Sequence, residues 1–398
     1  MAKEDNTQSL YSISEFAEKV GINEATLRNW HKSGSLMPAH ISPGGHRYYS
    51  NEQFLKISGQ NKYVSDGSDL DAVRDKVVLI TGGTGSLGNA LTKRICDVAK
   101  KIIIFSRDEL KQHQMRQKFA NKENIRFMIG DVRDKDRLMY ALRDVDICIH
   151  CASMKRIEVC QYNPVEAIKT IVIGSLNVME ACIENGVKKV LFISTDKSCA
   201  PATLYGGAKF VSEQLFISGN NYSTRDTVLT ITRYGNVYAS NGSMRHLFKK
   251  QAEENGEIEI THEDMTRFLM TIDQAVDLNL FALNNAKCGG EIFIPKLKAV
   301  KIVDYVKTFF PNLPTKIIGV RGYEKIHEDL ISDTEMRYVV DCGMYYKIIP
   351  STVNIPQLGW DKNYPVEKTI EASFKYNSGT VEQLTSQEII NMEKDYEQ

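Results

Sequence analysis

The feature that most constrains this chain is a run of glycines set directly behind a short apolar segment. Lys76-Val77-Val78-Leu79-Ile80-Thr81 reads as a buried strand, and Gly82-Gly83-Thr84-Gly85-Ser86-Leu87-Gly88 follows at once, with Gly82, Gly85 and Gly88 spaced as G-x-x-G-x-x-G. Glycine at those places allows a tight turn, close approach of backbone to a bound pyrophosphate, and close packing of the next helix on the sheet. A glycine-rich loop without a ligand is the alternative, but the flanking strand and helix favour the nucleotide. The spacing predicts that Gly82, Thr84, Gly85, Ser86, Leu87 and Gly88 cradle a dinucleotide.

The second strand, Lys101 to Phe105, ends in Ser106-Arg107 where an acidic residue would hold a free ribose 2′-hydroxyl. A hydroxyl and a guanidinium suit a 2′-phosphate, so NADP is favoured over NAD. Asp108 and Glu109 follow directly and argue the other way. Asp131 and Val132, after the strand Ile125 to Ile129, are placed to meet the adenine edge; an ordinary strand-end turn is the alternative.

Strands near 76–81, 101–105, 125–129, 145–150, 189–194 and 227–233 alternate with helical segments, including a long apolar-periodic helix from Pro164 to Asn185. That pattern predicts a Rossmann-type, doubly wound parallel α/β sheet. Residues 1–57 form a separate module, 58–75 a polar linker, and 76–398 the main domain, with a smaller substrate lobe mainly after Gly235.

Ser194-Thr195-Asp196-Lys197 closes the fifth strand, where open α/β sheets bind ligands, and Tyr205-Gly206-Gly207-Ala208-Lys209 follows. Tyrosine and lysine four apart share one helix face, so the ammonium helps the phenol lose a proton. A surface helix carries that spacing often, and it gains weight only beside the glycine turn. Asp196 and Lys197 add an acid and an amine, implying chemistry beyond simple alcohol oxidation.

Lys and Arg total 50, as do Asp and Glu, so the formal charge is zero and bulk electrostatics favour neither nucleic acid nor a membrane surface. No apolar run reaches the length of about 18 residues that a membrane span needs, and the polar N-terminus lacks a signal-peptide core. A soluble, cytoplasmic protein is expected. The eight cysteines include Cys148-Ile149-His150-Cys151, on a strand where residues three apart point to opposite faces. Buried thiols are expected there, and no metal site.

Several motifs together resemble the extended short-chain dehydrogenase/reductases, and more narrowly the inverting UDP-N-acetylglucosamine 4,6-dehydratases. They are the glycine turn, Ser106-Arg107-Asp108-Glu109-Leu110-Lys111, Ser194 to Lys197, and Tyr205 with Lys209. Further matches are Ser153-Met154-Lys155, Tyr162-Asn163-Pro164, Arg233 to Val237, Met265 to Phe268, and Arg321 with Glu324-Lys325-x-x-Glu328. The resemblance covers roughly residues 75–350. It implies that Tyr205, assisted by Lys209, takes the proton of the sugar 4-hydroxyl while NADP accepts hydride from C4. Lys197 then removes the C5 hydrogen, Asp196 protonates the departing 6-hydroxyl, hydride returns to C6, and C5 is reprotonated from the opposite face. Retaining relatives carry glutamate after the aspartate, so Lys197 points to the inverting type. Lys197 as a mere ligand of cofactor or substrate phosphate is the other reading. A lysine base must be neutral when it acts, so burial beside cationic groups is expected.

The resemblance further implies Ser106, Arg107, Asp108 and Lys111 on the cofactor, and Lys155 and Asn236 on the sugar nucleotide. It puts Arg321 on the diphosphate and Glu324 on ribose or uracil, with Arg267 either a substrate contact or a structural salt bridge. A homo-oligomer is also expected. Ile171 stands where the family has asparagine, which removes any side-chain role in a proton relay or helix kink, and Gly322-Tyr323 replaces Pro-Gly. Ser153-Met154 and Gly207-Ala208 are also slightly off pattern.

At the N-terminus, Ile13 to Ile22 and Glu24 to Lys32 read as two helices, and Ser42 to Tyr49 as a turn into a wing. This resembles the MerR-type winged helix-turn-helix, which implies DNA contacts from Arg28, Lys32, Arg47 and Tyr48. Six basic residues in 1–57 are balanced by six carboxylates, which weakens that expectation unless the module dimerises. Assembly, or no remaining role, is the alternative. Two functions therefore stand: a sugar-nucleotide dehydratase with an appended module, or a DNA-binding regulator that senses NADP or a UDP-sugar. A UDP-sugar epimerase is the nearest enzymatic rival.

Overall fold

The computed structural model describes residues 10–20, 24–33, 36–42, 44–50, 53, 70–222, 226–240, 242–322, 324–350, 370 and 375–397. The chain divides into two units, Met1–Ser68 and Asp69–Gln398.

In the first unit, α1 (Ile13–Val20) and α2 (Glu24–Ser33) accompany an antiparallel sheet. In that sheet β3 (Arg47–Ser50) lies between β1 (Leu10–Ser12) and β2 (His40–Ile41). Phe16, Ala17, Leu27 and Tyr49 are buried together, the rings of Phe16 and Tyr49 stacked at 4.7 Å. So small a unit rests on few apolar side chains.

The second unit is built on a nine-stranded sheet. Its parallel strands are β4 (Val77–Thr81), β5 (Lys101–Ser106), β6 (Ile125–Ile129), β7 (Ile147–His150), β8 (Lys189–Ile193) and β9 (Val228–Thr232). They run in the order β6-β5-β4-β7-β8-β9. Val78, Leu79, Ile80, Ile102, Ile104, Ile149, Val190 and Leu191 are wholly buried, because helices cover both faces and these strands read as unbroken apolar runs. The order reverses between β4 and β7, the crevice where such sheets bind ligands.

Local chemistry starts the helices. No side chain caps Gly85 before α3 (Ser86–Ile95), whereas Asp108 accepts from the Lys111 amide at 3.0 Å to begin α4 (Glu109–Lys118). Asp134 likewise begins α5 (Lys135–Ala141). The predicted helix from Pro164 to Asn185 is not uniform. After α6 (Ile157–Tyr162) the chain forms α7 (Pro164–Ile168), a π-helical turn at Lys169–Ile173, and α8 (Gly174–Asn185), ended by Gly186 at φ 70°. Thr203 caps α9 (Leu204–Gly219), which carries Tyr205 and Lys209.

Two expected boundaries move. Residues 70–75 do not belong to a linker: Val73 is wholly buried in the main core, and the Ala72 amide donates to Asn284 Oδ1 at 2.8 Å. The chain after Gly235 is not all lobe either. After β10 (Asn236–Val237), α10 (Met244–Asn255), β11 (Ile258–Ile260), β12 (Thr266–Met270) and α11 (Ile272–Asn285) comes β13 (Ile292–Pro295), which joins β9 in parallel. β14 (Ala299–Lys301), α12 (Ile302–Phe309) and β15 (Thr315–Ile317) follow. Then β16 (Val339–Asp341) and β17 (Tyr345–Ile348) finish the large sheet antiparallel. The chain thus leaves the sheet to build the lobe and returns. The lobe has its own core, including Phe248, Ile258, Met265, Tyr305 and Val306, with Ile389 supplied by α13 (Ser386–Glu397).

Candidate active site

A cavity of about 720 Å³ opens at the carboxyl ends of the parallel strands. Gly82, Thr84, Gly85, Ser86, Leu87 and Gly88 line it, as do Ser106, Arg107, Asp108, Lys111, Asp131 and Val132. Gly82 adopts φ 62°, and a Cβ there would stand 2.8 Å from the Ala152 backbone, so the turn admits only glycine. A Cβ on Gly85 would come within 3.2 Å of the Gly82 carbonyl oxygen, a tight contact that favours glycine at the uncapped start of α3. Helix amides facing a cavity, with no acidic residue in the first turn, fit a pyrophosphate. The Asp108 carboxylate is engaged at the start of α4 and lies 3.4 Å from Lys111 Nζ, while Arg107 is 3.8 Å from Asp131. The residues present therefore fit a nicotinamide dinucleotide.

The short 3-10 turn Asp196–Ser198 continues the path of β8, pinned where the Asp196 amide donates to the Tyr234 carbonyl at 3.0 Å. Ser194, Thr195, Lys197, Tyr205 and Lys209 all line the cavity. Lys209 Nζ donates to the Ile193 carbonyl at 2.7 Å and stands 4.4 Å from the Phe192 ring centre. Burial pushes the Lys209 ammonium down to about 8, against the pull of Glu213. Burial also raises the Tyr205 phenol to about 12, opposed by Lys197 and by a hydrogen bond from Thr195. Asp196 is wholly buried and does not itself line the cavity. Its Oδ1 accepts from Lys197 Nζ at 2.8 Å and from Thr195 Oγ1 at 2.9 Å, and its Oδ2 has no partner among the described residues.

Lys197 differs from expectation. Its neighbours are mainly carboxylates: Asp196 at 2.8 Å, and Glu328 at 3.8 Å from the lobe. Burial disfavours its charge, but Asp196 and Glu328 outweigh burial and the opposing Arg267, so its pKa lies above the ordinary lysine value. In this ligand-free geometry it is an ammonium.

The residues expected to bind substrate divide. Lys155 and Asn236 line the cavity, with Asn236 Oδ1 3.3 Å from Lys197 Nζ. Arg267, Arg321 and Glu324 do not. Arg267 ties the lobe together, donating to the carbonyls of Thr266 at 2.7 Å and Ile326 at 3.1 Å. Arg321 is exposed and 3.6 Å from Glu158, which does line the cavity, and Glu324 accepts from the Arg321 amide at 3.3 Å. Of the Gly322-Tyr323 departure, Tyr323 lies outside the described residues. Sequence reasoning missed Arg156, Thr170, and the wall formed by Ser240, Gly242, Ser243 and Met244. Nothing in their spacing marked them.

Ile171 removes an amide but not the irregular helix. The π-helical turn persists, and the Ile171 carbonyl accepts from the Ser212 hydroxyl at 3.0 Å and from the Ser175 hydroxyl at 2.5 Å. All eight cysteines are free; Cys148 is wholly buried, whereas Cys151 lines the cavity as a thiol raised by burial to about 12. Among the described residues no His, Cys, Asp and Glu cluster suits a metal ion, and no helix is long and apolar enough to cross a membrane.

In the N-terminal unit Arg28 is paired with Glu24 at 2.6 Å, and Arg47 Nε donates to His31 Nδ1 at 2.7 Å. Tyr48 is half-buried, and the Lys32 side chain lies outside the described residues.

The family described as "Polysaccharide biosynthesis protein" matches residues 78–350. The chain belongs to that family. Members similar to it include a UDP-N-acetylglucosamine 4,6-dehydratase (inverting) of Campylobacter jejuni, 47% identical over 71% of this chain and 85% of the relative. A UDP-glucose 4-epimerase of Rickettsia bellii is 40% identical over 79% of this chain and 94% of the relative. Among solved structures, Pen from Bacillus thuringiensis superposes with a TM-score of 0.73 at 33% identity, over 81% of this chain and 99% of that one. Residues 12–49 match the MerR family of regulatory proteins.

Proposed function

We infer that the protein is a C5-inverting UDP-N-acetylglucosamine 4,6-dehydratase, giving a UDP-2-acetamido-2,6-dideoxy-4-keto-hexose. The observation that carries this reading is the Asp196–Lys197 pair, joined at 2.8 Å, with Lys197 on the cavity that Tyr205 and Lys209 also line and Asp196 buried behind it. An oxidoreductase or an epimerase needs the tyrosine and lysine but has no use for this second acid–base pair.

NADP, when bound, supplies the hydride acceptor at C4 and the hydride donor at C6. Tyr205 takes the proton of the 4-hydroxyl, with Lys209 fixed behind it by Ile193. The C4 ketone acidifies the C5 hydrogen, which Lys197 removes. Asp196 and Lys197 share one proton: Lys197 passes it to Asp196, then leaves Asp196 as it turns to C5. That departure opens the carboxyl to the 6-hydroxyl, which takes the proton and leaves as water. Tyr205 releases to solvent the proton it took and C5 takes one from solvent on the opposite face, so the phenol and the Asp196–Lys197 pair end each cycle as they began. Lys155 and Asn236 orient the sugar nucleotide from the wall; the diphosphate and the ribose or uracil are assigned to Arg321 and Glu324.

The preference for NADP rests on Ser106 and Arg107 together with the engagement of Asp108 away from a ribose. Arg107→Ala is expected to weaken NADP binding about tenfold and leave NAD binding unchanged, since a charge-assisted hydrogen bond contributes roughly 1.5–3 kcal/mol. Calorimetry with both cofactors checks it. The reaction belongs in the cytoplasm, and a homo-oligomer is expected. Residues 1–57 act as a DNA-contacting or assembly module through Arg28, Lys32, Arg47 and Tyr48; the ion pair with Glu24 offsets the charge of Arg28, whereas the bond from Arg47 to His31 brings no negative charge.

The Rickettsia relative favours a second reading, a UDP-sugar 4-epimerase. Incubation with UDP-N-acetylglucosamine in deuterated water, followed by proton NMR, separates them. A 6-deoxy-4-keto sugar with deuterium at an inverted C5 supports the dehydratase; a 4-epimer that keeps its 6-hydroxyl supports the epimerase. Binding of both ligands without turnover moves the weight to a sensor.

A further inference from the structure

Glu328 is absent from the residues assigned so far to proton transfer, yet among the described residues it is the lobe carboxylate beside Lys197. It is 4% exposed and does not line the cavity. One oxygen lies 3.8 Å from Lys197 Nζ and 3.8 Å from Arg267 Nε; the other is buried with no partner among the described residues. An unsatisfied buried carboxylate is costly and is kept where its charge is used.

The segment that carries it is tied down on every side. The Thr266 amide donates to the Ile326 carbonyl at 3.0 Å, Arg267 Nη1 to the same carbonyl at 3.1 Å, and Lys325 Nζ to the Cys199 carbonyl at 2.8 Å. The Glu328 amide donates to Ser378 Oγ at 2.8 Å. The charged groups facing Glu328 are Lys197 and Asp196 from the turn after β8, Arg267 from β12, and Lys325 of its own segment. Burial raises the Glu328 carboxyl above its ordinary value, while Lys197, Arg267 and Lys325 oppose that shift, so the cations it faces favour its charged form.

We propose that Glu328 is a positioning residue that acts through Lys197. It holds the amine at the cavity wall and stabilises the ammonium that forms when Lys197 takes the C5 proton. The proton moves from C5 to Nζ and the electron pair stays on the sugar; Glu328 exchanges nothing and lowers the energy of the charge that develops. The proposal rests on Lys197 as the C5 base.

The test is Glu328→Gln in the full chain, read in two ways. In the ligand-free protein, lysine labelled with 13C at Cε reports the titration of Lys197, assigned by the signal lost in Lys197→Ala. The midpoint is expected to fall by about one unit, because a charge neighbour has been removed. In turnover, kcat and C5 deuterium uptake are expected to fall about tenfold, with KM for the UDP-sugar within about twofold. Glu328→Asp, which keeps the charge, restores most of the midpoint and also serves if the glutamine variant unfolds. An unmoved midpoint, or a raised KM with intact kcat, overturns the proposal. Absence of 6-deoxy-4-keto product from the wild-type protein instead overturns the dehydratase reading, and the ligand-free titration still decides whether Glu328 governs Lys197.

Discussion

Two cations, Arg233 buried and Lys197 half-buried, stand at neighbouring strand ends, each facing two carboxylates, and they are put to opposite uses. Arg233, just beyond β9, spends all of its N–H groups: on Glu213 at 3.0 and 2.6 Å, on Glu335 at 3.0 and 2.8 Å, and on the Leu330 carbonyl at 3.1 Å. Lys197, just beyond β8, has Asp196 at 2.8 Å and Glu328 at 3.8 Å, and each of those carboxylates keeps an oxygen unpartnered among the described residues. Both clusters join the sheet to the same stretch of the C-terminal half, residues 328–335. What separates them is saturation. A guanidinium with every donor engaged is a fixed strut, whereas an ammonium between half-used carboxylates can gain, lose or pass a proton without tearing the packing around it. They are also coupled: the Ser198 hydroxyl, in the turn that carries Asp196 and Lys197, lies 2.7 Å from Glu213. The saturated cluster braces the unsaturated one.

The contrast breaks most sharply at Lys197. Lys197→Ala is expected to slow dehydration by about a thousandfold, the range of a lost general base, while oxidation at C4 survives. Product NMR in deuterated water checks this, and unchanged loss of the 6-hydroxyl would remove Lys197 from the role of base. Next in size, Arg233→Met leaves Glu213 and Glu335 buried without their cation and is expected to cost about 3–5 kcal/mol in urea unfolding. Undiminished stability would mean that Arg233 is no strut.

A smaller effect sharpens the comparison at a third cation. Among the described residues Lys209 has no carboxylate bond, only the Ile193 carbonyl and the Phe192 ring, and burial depresses it from 10.5 to about 8. Because the folded value is the lower one, its charge costs stability at neutral pH. That cost fades as pH rises from about 8 to 10.5, since in this window the unfolded chain binds more protons. The wild type should therefore gain stability relative to Lys209→Met across the window, measured by denaturant unfolding at each pH. A constant difference would show that Lys209 titrates normally in the fold.

Much of the site was legible because its residues are close in sequence. Gly82 to Gly88 and Ser194 to Lys197 each sit where a strand stops and its backbone must turn, so residue type and position are specified together. Tyr205 and Lys209 share a face through helical geometry alone. Arg321 and Glu324, matched by motif, stand off the cavity wall, because a loop's position depends on what it packs against. The π-helical turn at Lys169–Ile173 is present with isoleucine at 171, and hydroxyls from Ser175 and Ser212 bond the carbonyl of Ile171. Only the second of these hydroxyls comes from another helix, α9.

The sequence by itself determined the doubly wound sheet, the glycine turn after β4 and the order of the proposed catalytic residues, since each follows from periodicity or short spacing. The tertiary structure alone decided the return of the chain to the sheet as β13, β17 and β16. It also decided the pairing of Arg233 with Glu335, and the charge on Lys197. Those depend on groups far apart in the chain, whose approach is set by packing. A carboxylate over a hundred positions away governs an amine only once folding has brought them to 3.8 Å and excluded water from between them.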